Sequence, residues 1–161
     1  MAPRVVCNAA ITLIKSFEGD ATQPYLDPIG IWTIGWGHAI RWQGRFLRGS
    51  GDLQQVKALY PSGITVDQAE NLLSGDLMET GAGVLAIVSV TLTDNQYGAL
   101  TSFAFNLGVA KLQSSTLLKD VNARDFSAAA DEFPRWCHAN GKVLAGLRNR
   151  RNAERDLFLR P

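Results

Sequence analysis

Apolar residues near the start of the chain recur at the three- and four-residue spacing of an amphipathic helix. Gly19 lies just beyond the last of them, and glycine suits the left-handed conformation that follows many helices. The pattern therefore predicts a first helix that ends near Glu18. The apolar positions of this helix are Val6, Ala9, Ala10, Leu13, Ile14 and Phe17.

The pattern changes after this helix. Pro24, Pro28 and Gly30 interrupt the chain, and residues 31–36 are rich in β-branched and aromatic side chains. Such a run between turn residues is typical of a hairpin and a small antiparallel sheet. Asp27 directly precedes a proline, which favours extended backbone at a turn.

Helical signals dominate the rest of the chain, beginning with a short helix predicted for residues 52–60. Thr65 with Gln68 forms a capping box, which opens a long helix. Gly81 and Gly83 weaken helical structure, so we expect a bend or break near residues 80–83.

A second capping box, Thr93 with Gln96, opens a helix that is predicted to end at Gly108. Shorter helices are expected at about residues 115–122 and 125–139. Pro134 should kink the last of these, since proline lacks the backbone N–H that a helix interior needs.

Composition limits the class of protein without identifying it. The chain has 161 residues, of which 46% are apolar and 19% charged, with a net charge of +1. This is the composition of one globular domain, and the charge argues against strong attraction to nucleic acid or to an anionic membrane. Cys7 and Cys137 could pair, although cysteines in apolar helical segments are more often buried free thiols. The histidines and cysteines are scattered, so no metal site and no cofactor are expected.

Glu18 and Asp27 are candidates for paired acid chemistry. Hydrolysis of a glycosidic bond needs one protonated carboxyl that donates to the leaving oxygen and one charged carboxylate on the other side of the bond. Spacing alone is weak evidence, because a chain with 15 acidic residues offers many such pairs by chance.

The whole string SFEGDATQPYLDPIGIWTIGWGH is more specific than the pair. Eight residues separate Glu18 from Asp27, five more precede Thr33, and Gly35, Gly37 and His38 follow. This pattern resembles the signature of the phage-type lysozymes, glycoside hydrolase family 24. The segments ALTSFAFNLG and GLRNRRNAE resemble the family's central helix and its closing GL-x-x-RR-x-x-E motif.

The resemblance implies a lysozyme-like α+β fold, in which a long helix joins a small antiparallel β-sheet lobe to a mainly helical lobe. It implies one domain over residues 1–161. The β-containing lobe would span about 18–64, and the helical lobe would span about 84–161 together with the N-terminal helix. Residues 40–63 match the family least, and there Trp42 and Phe46 would either stack on sugars or pack as a lid or core.

The resemblance also implies the roles of individual residues in an inverting muramidase, which cleaves the β-1,4 bond between N-acetylmuramic acid and N-acetylglucosamine. Glu18 would donate the proton, Asp27 would stabilise the developing positive charge or position water, and Thr33 would hold the attacking water. Trp36, Asn106 and Arg150 are the candidate substrate-binding residues, with Arg148 and Arg151 as alternatives to Arg150. His38 is expected to pair structurally with a carboxylate.

The expected partner is bacterial peptidoglycan, and we expect a monomer that binds neither nucleic acid nor a membrane stably. The N-terminus carries no secretory or membrane-spanning pattern. We therefore expect accumulation in the host cytoplasm and release to the wall through a holin-type partner. Two other classes stay open, a lytic transglycosylase and a wall-binding or membrane-disrupting protein that uses the basic C-terminal helix.

Overall fold

A computed structural model describes residues 4–139 and 141–161. Its helices are α1 (Asn8–Phe17), α2 (Leu53–Leu59), α3 (Val66–Ile87), α4 (Asp94–Leu107), α5 (Val109–Gln113), α6 (Thr116–Asn122), α7 (Phe126–Glu132) and α8 (Ala145–Phe158). Its strands are β1 (Ala21–Leu26), β2 (Trp32–Gly35), β3 (His38–Ala39), β4 (Arg41–Trp42), β5 (Arg45–Phe46), β6 (His138–Ala139) and β7 (Lys142–Val143). The fold is therefore α+β, as predicted.

The chain forms two compact units. One comprises Glu18–Asp76, and the other comprises Leu77–Pro161 together with the chain up to Phe17. The long helix α3 contributes residues to both units. The predicted lobe boundaries, and the assignment of a single domain to residues 1–161, stay predictions.

The Glu18–Asp76 unit contains an antiparallel sheet in the order β1-β2-β3. Tyr25 pairs with Thr33, and Leu26 pairs with Trp32. The predicted hairpin is confirmed, with its turn between Leu26 and Trp32. The same unit has a small apolar core of Ile34, Ile40, Leu47 and Val56, with Trp32, Leu59, Tyr60, Ile64 and Leu72 packed against it.

Residues 40–63 contain a second hairpin, β4–β5, followed by a 3₁₀ turn and α2. Asp52 fixes this segment, because its carboxylate accepts hydrogen bonds from both terminal nitrogens of Arg45 (2.8 and 2.6 Å) and from the backbone of Arg48 (2.7 Å). The Arg45 hydrogen bond, followed by that of Arg48, lowers the pKa of Asp52 from 3.8 to about 2. Trp42 is 40% exposed, whereas the guanidinium of Arg41 covers the ring of Phe46 at 4.5 Å.

The other unit is built around α4. Every residue from Tyr97 to Ala104 is buried, so the helix is enclosed on all sides instead of along one face. Its capping box is formed as predicted, with the Gln96 amide donating to the Thr93 hydroxyl (3.1 Å) and the Thr93 amide donating to Gln96 (3.0 Å). The capping box of α3 is confirmed in the same way by Thr65 and Gln68.

The break predicted near residues 80–83 is wrong, since α3 is continuous from Val66 to Ile87. Gly81 and Gly83 allow neighbouring helices to pack closely against α3. A Cβ atom on Gly81 would overlap the hydroxyl of Tyr97 on α4, and one on Gly83 would lie 2.8 Å from a methyl of Val109 on α5. Tertiary contact at these glycines offsets their low helix propensity.

The helix predicted over residues 125–139 is too long. Helix α7 ends at Glu132, and Phe133–Arg135 forms a single 3₁₀ turn that contains Pro134. Proline ends the α-helix here instead of kinking it, because it removes a hydrogen-bond donor and clashes with the preceding turn. The chain then enters the β6–β7 hairpin, which the sequence did not predict.

Cys7 and Cys137 are both free, so the disulfide that the sequence left open is absent. Within residues 4–139 and 141–161, no helix combines the length and the apolar character needed to cross a bilayer. The same residues contain no cluster of three or more histidine, cysteine or acidic side chains arranged to hold a metal ion.

The close packing of Gly81 generates a paired prediction. Gly81→Ala should destabilise the protein by about 1–3 kcal/mol, because the new methyl group overlaps Tyr97. Gly75→Ala, in the same helix with open space around it, should instead stabilise it by about 0.5–1 kcal/mol. Thermal unfolding followed by circular dichroism measures both. Equal effects of the two substitutions would contradict the packing role of Gly81.

Candidate active site

Asp27 and Thr33 are both fixed by the backbone of one residue, Ile31. The carboxylate oxygen Oδ1 of Asp27 accepts hydrogen bonds from the backbone amides of Ile29 (2.9 Å) and Ile31 (2.8 Å). The hydroxyl of Thr33 donates to the carbonyl oxygen of Ile31 (3.2 Å). Ile31 therefore ties both candidate side chains to the turn between β1 and β2.

Both the Asp27 carboxylate and the Thr33 hydroxyl can still accept further hydrogen bonds. The hydrogen bonds to Asp27 end on Oδ1, so they leave the second oxygen for other contacts. Thr33 uses its single proton on Ile31, and a hydroxyl oxygen still has lone pairs that accept a hydrogen bond from water. The side chain of Thr33 is 4% exposed, so any water held there would be screened from bulk solvent.

Glu18 is the first residue after α1 and is half-buried. The charges of Glu18 and Asp27 both act on Tyr25. Burial raises the pKa of Tyr25 above its usual value, and the negative charges of Glu18 and then Asp27 raise it further. Thr33 is the direct cross-strand partner of Tyr25.

Trp36, a candidate for substrate binding, follows the last residue of β2. Its side chain is only 9% exposed, so little of its ring is open for stacking on a sugar. This burial favours a packing role, and its contact with substrate stays a prediction.

Asn106 and Arg150 belong to the helical unit. Asn106, near the end of α4, is half-buried and accepts a hydrogen bond from Arg151 (3.2 Å). Arg150 is 3% exposed, and its guanidinium donates to Glu154 (3.3 Å) and lies 5.9 Å from the ring of Phe17. The implied packing of Arg150 toward the catalytic glutamate stays a prediction.

His38 pairs with a carboxylate, as predicted. Its Nδ1 lies 2.8 Å from Oδ2 and 3.0 Å from Oδ1 of Asp76, at the end of the same compact unit. The contact links β3 to α3 and holds the sheet against that helix.

Comparison with known proteins identifies the family. The sequence profile described as phage lysozyme matches residues 15–154, which include all the candidate site residues. The chain belongs to the phage lysozyme family.

Among its relatives in the phage lysozyme family is the endolysin of Bacillus phage B103, which is 40% identical over 156 residues. The match covers 96% of this chain and 54% of that protein, so the chain spans about half the length of this relative. The endolysin of Salmonella phage P22 is 36% identical, and the match covers 96% of this chain and 97% of that one.

Solved structures agree with this family assignment. The muramidase domain of SpmX from Asticcacaulis excentricus superimposes with a TM-score of 0.78 at 36% identity, covering 97% of this chain and 98% of that one. A single-substitution mutant of P22 lysozyme gives 0.77 at 32% identity, covering 98% of this chain and 99% of that one. The lysozyme-like fold predicted from the sequence is confirmed.

Sequence reasoning missed two features of this chain. The first is Tyr25, which only the β1–β2 register places opposite Thr33. The second is the buried carboxylate of Glu154 in α8. Its spacing of three and four residues from Arg151 and Arg150 was a usable signal, since such pairs form ion pairs on helices.

The position of Tyr25 leads to a titration prediction. In Glu18→Gln the negative charge is removed, so the pKa of Tyr25 should fall, and in Asp27→Asn it should fall by less. The pKa of Tyr60 is raised by burial and by Asp76, so it should not change and serves as the internal control. Carbon-13 NMR of the tyrosine ring carbons across alkaline pH measures both. An unchanged pKa of Tyr25 in Glu18→Gln would contradict an electrostatic effect of Glu18 on this phenol.

Proposed function

We propose that this member of the phage lysozyme family is an active muramidase. It hydrolyses the β-1,4 bond between N-acetylmuramic acid and N-acetylglucosamine in bacterial peptidoglycan, and it serves as an endolysin in host cell lysis. The observation that carries the proposal is the attachment of Asp27 and Thr33 to Ile31, which places a carboxylate and a hydroxyl at one turn. Family membership supports it, because the family profile spans all three residues.

Glu18 acts as the general acid. Its carboxyl donates a proton to the glycosidic oxygen as the bond to the leaving sugar breaks. Asp27 stays charged and stabilises the positive charge that develops on the other sugar. The Asp27 carboxylate suits this role because two backbone amides fix its orientation before substrate arrives.

Thr33 holds the attacking water. Its proton is donated to the Ile31 carbonyl, so its oxygen faces the water as an acceptor and orients it toward the anomeric carbon. Attack from the face opposite the leaving group inverts that carbon, and the Asp27 carboxylate accepts the proton that the water loses, so the first product should have the α configuration. Proton NMR of the fresh product tests this step, and a β product would remove the water-holding role of Thr33.

Glu18→Gln should leave a folded protein whose rate of reducing-end release from purified peptidoglycan is about 10²- to 10⁴-fold lower, the usual contribution of a positioned acid. Asp67→Asn, which removes an exposed acid from the first turn of α3, is the matched control and should retain the full rate. Circular dichroism verifies the fold of each variant. Ordinary lytic activity in Glu18→Gln would disprove the assignment of the acid.

Product identity separates this proposal from the other two classes. Mass spectrometry should find reducing N-acetylmuramic acid, whereas a 1,6-anhydro sugar would mean a lytic transglycosylase. Killing of cells that persists undiminished in Glu18→Gln would mean that the basic C-terminal helix disrupts membranes without catalysis.

We further propose that the protein is a monomer whose access to the wall depends on a holin-type partner. Cells that express it alone should keep growing, and they should lyse when a membrane-permeabilising holin is co-expressed or chloroform is added. Lysis on expression alone would contradict this dependence. Sedimentation velocity tests the oligomeric state.

A further inference from the structure

Thr33 is buried, although its side chain does not point into the apolar core of the Glu18–Asp76 unit. Ile34 belongs to that core, and Trp32 packs against it. Because successive side chains of a strand point to opposite faces of the sheet, the Thr33 side chain between them faces away from the core. Some other group on that face must therefore reduce the exposure of Thr33 to 4%.

The strands on both sides of β2 supply the neighbours of Thr33. Tyr25 of β1 is its direct partner on one side, and Ala39 of β3 is its partner on the other side. Directly opposed side chains in an antiparallel sheet share a face, with Cβ atoms about 4.5–5.5 Å apart. The methyl group of Ala39 covers little surface, so the ring of Tyr25 is the larger of the two covers over Thr33.

The side chain of Tyr25 lies at the surface beside this buried threonine, with 37% of Tyr25 exposed. Burial, followed by the charges of Glu18 and Asp27, raises the pKa of Tyr25 above 10.0. The phenol is therefore neutral at physiological pH and adds no negative charge to a site that already has two carboxylates. Its hydroxyl makes no hydrogen bond to residues 4–139 or 141–161, so the contribution of this side chain in the free protein comes from the ring.

We propose that the ring of Tyr25 covers the water that Thr33 holds and thereby limits the attacking nucleophile to the size of water. The nature of the reaction rests on the proposed function. The cover over Thr33 does not, because it follows from the strand register within one compact unit. A pocket that fits one molecule rejects a homologue with one more carbon by about 10- to 200-fold, so methanol is the probe for this selectivity.

The cover is tested first without substrate. A soluble gadolinium chelate relaxes the methyl groups that solvent reaches, so the relaxation enhancement of the Thr33 methyl group measures its exposure. Tyr25→Ala should raise this enhancement severalfold. Leu26→Ala is the matched control, because Leu26 is the next residue of β1, is similarly exposed at 43% and pairs with Trp32 on the other face of the sheet. An enhancement that is equally low in both variants would overturn the proposal.

Product analysis in the presence of methanol tests the selectivity. Methanol reacts as water does: its oxygen bonds to the anomeric carbon as the bond to the leaving sugar breaks, Asp27 takes its hydroxyl proton, and Glu18 protonates the leaving oxygen. The product is a methyl glycoside in place of a reducing sugar. In Tyr25→Ala the ratio of methyl glycoside to reducing sugar, measured by mass spectrometry, should rise by about 10- to 200-fold over the wild type. Both products come from the same active molecules, so a loss of folded protein leaves this ratio unchanged.

Two variants serve as controls for the ratio. Tyr25→Phe keeps the ring, and Leu26→Ala keeps the cover over Thr33, so both should show the wild-type ratio. A ratio in Tyr25→Ala no higher than in Leu26→Ala would contradict the proposal. A rise in Tyr25→Phe as large as in Tyr25→Ala would contradict it as well, because the ring would then not be the barrier.

Two further comparisons keep the outcome decisive. If Tyr25→Ala does not fold, as judged by circular dichroism, Tyr25→Val replaces it, since valine is a better strand former and also lacks the ring. If the wild type releases no reducing ends, the proposed function fails, and the relaxation of the Thr33 methyl group alone decides whether Tyr25 covers Thr33.

Discussion

The backbone amide and the backbone carbonyl of Ile31 are both held by hydrogen bonds, and the arrangement of Asp27 and Thr33 depends on them. Asp27 accepts from its amide and Thr33 donates to its carbonyl oxygen. The Asp27 amide also donates to that carbonyl oxygen (2.8 Å), which closes the turn. The two functional side chains thus stabilise the turn that presents them, and a change in either one would alter the backbone that carries the other.

The apolar core of the Glu18–Asp76 unit, which includes Ile34, Ile40 and Leu47, supports this turn. Trp32, which follows Ile31, donates its backbone amide to Leu47 and accepts from Ile40, and both of these partners are buried in that core. Its indole N–H also donates to the carbonyl oxygen of Gly49 (2.8 Å). Rigid elements therefore hold the site on both sides of Ile31, which is the preorganisation that electrostatic catalysis needs.

Local signals predicted the elements whose stability is local. Both capping boxes are formed, and α1 ends at Phe17, one residue before Glu18. Such features depend on side chains within a few residues of one another, so the sequence contains the whole interaction. The predictions that were wrong concern positions where contacts with distant parts of the chain decide the structure. Gly81 weakens a helix in isolation, yet α3 continues because Tyr97 of another helix occupies the space that a side chain would fill.

The sequence by itself determined the family, the α+β class and the three candidate catalytic residues, because their spacing lies within one short stretch of chain. Only the tertiary structure decided that Tyr25 faces Thr33, that Trp36 is buried, and that Glu154 joins two arginines to Ser102. Those outcomes depend on strand register and on helix packing. Ser102 and Glu154 are 52 positions apart, and no local pattern specifies that they will share a hydrogen bond.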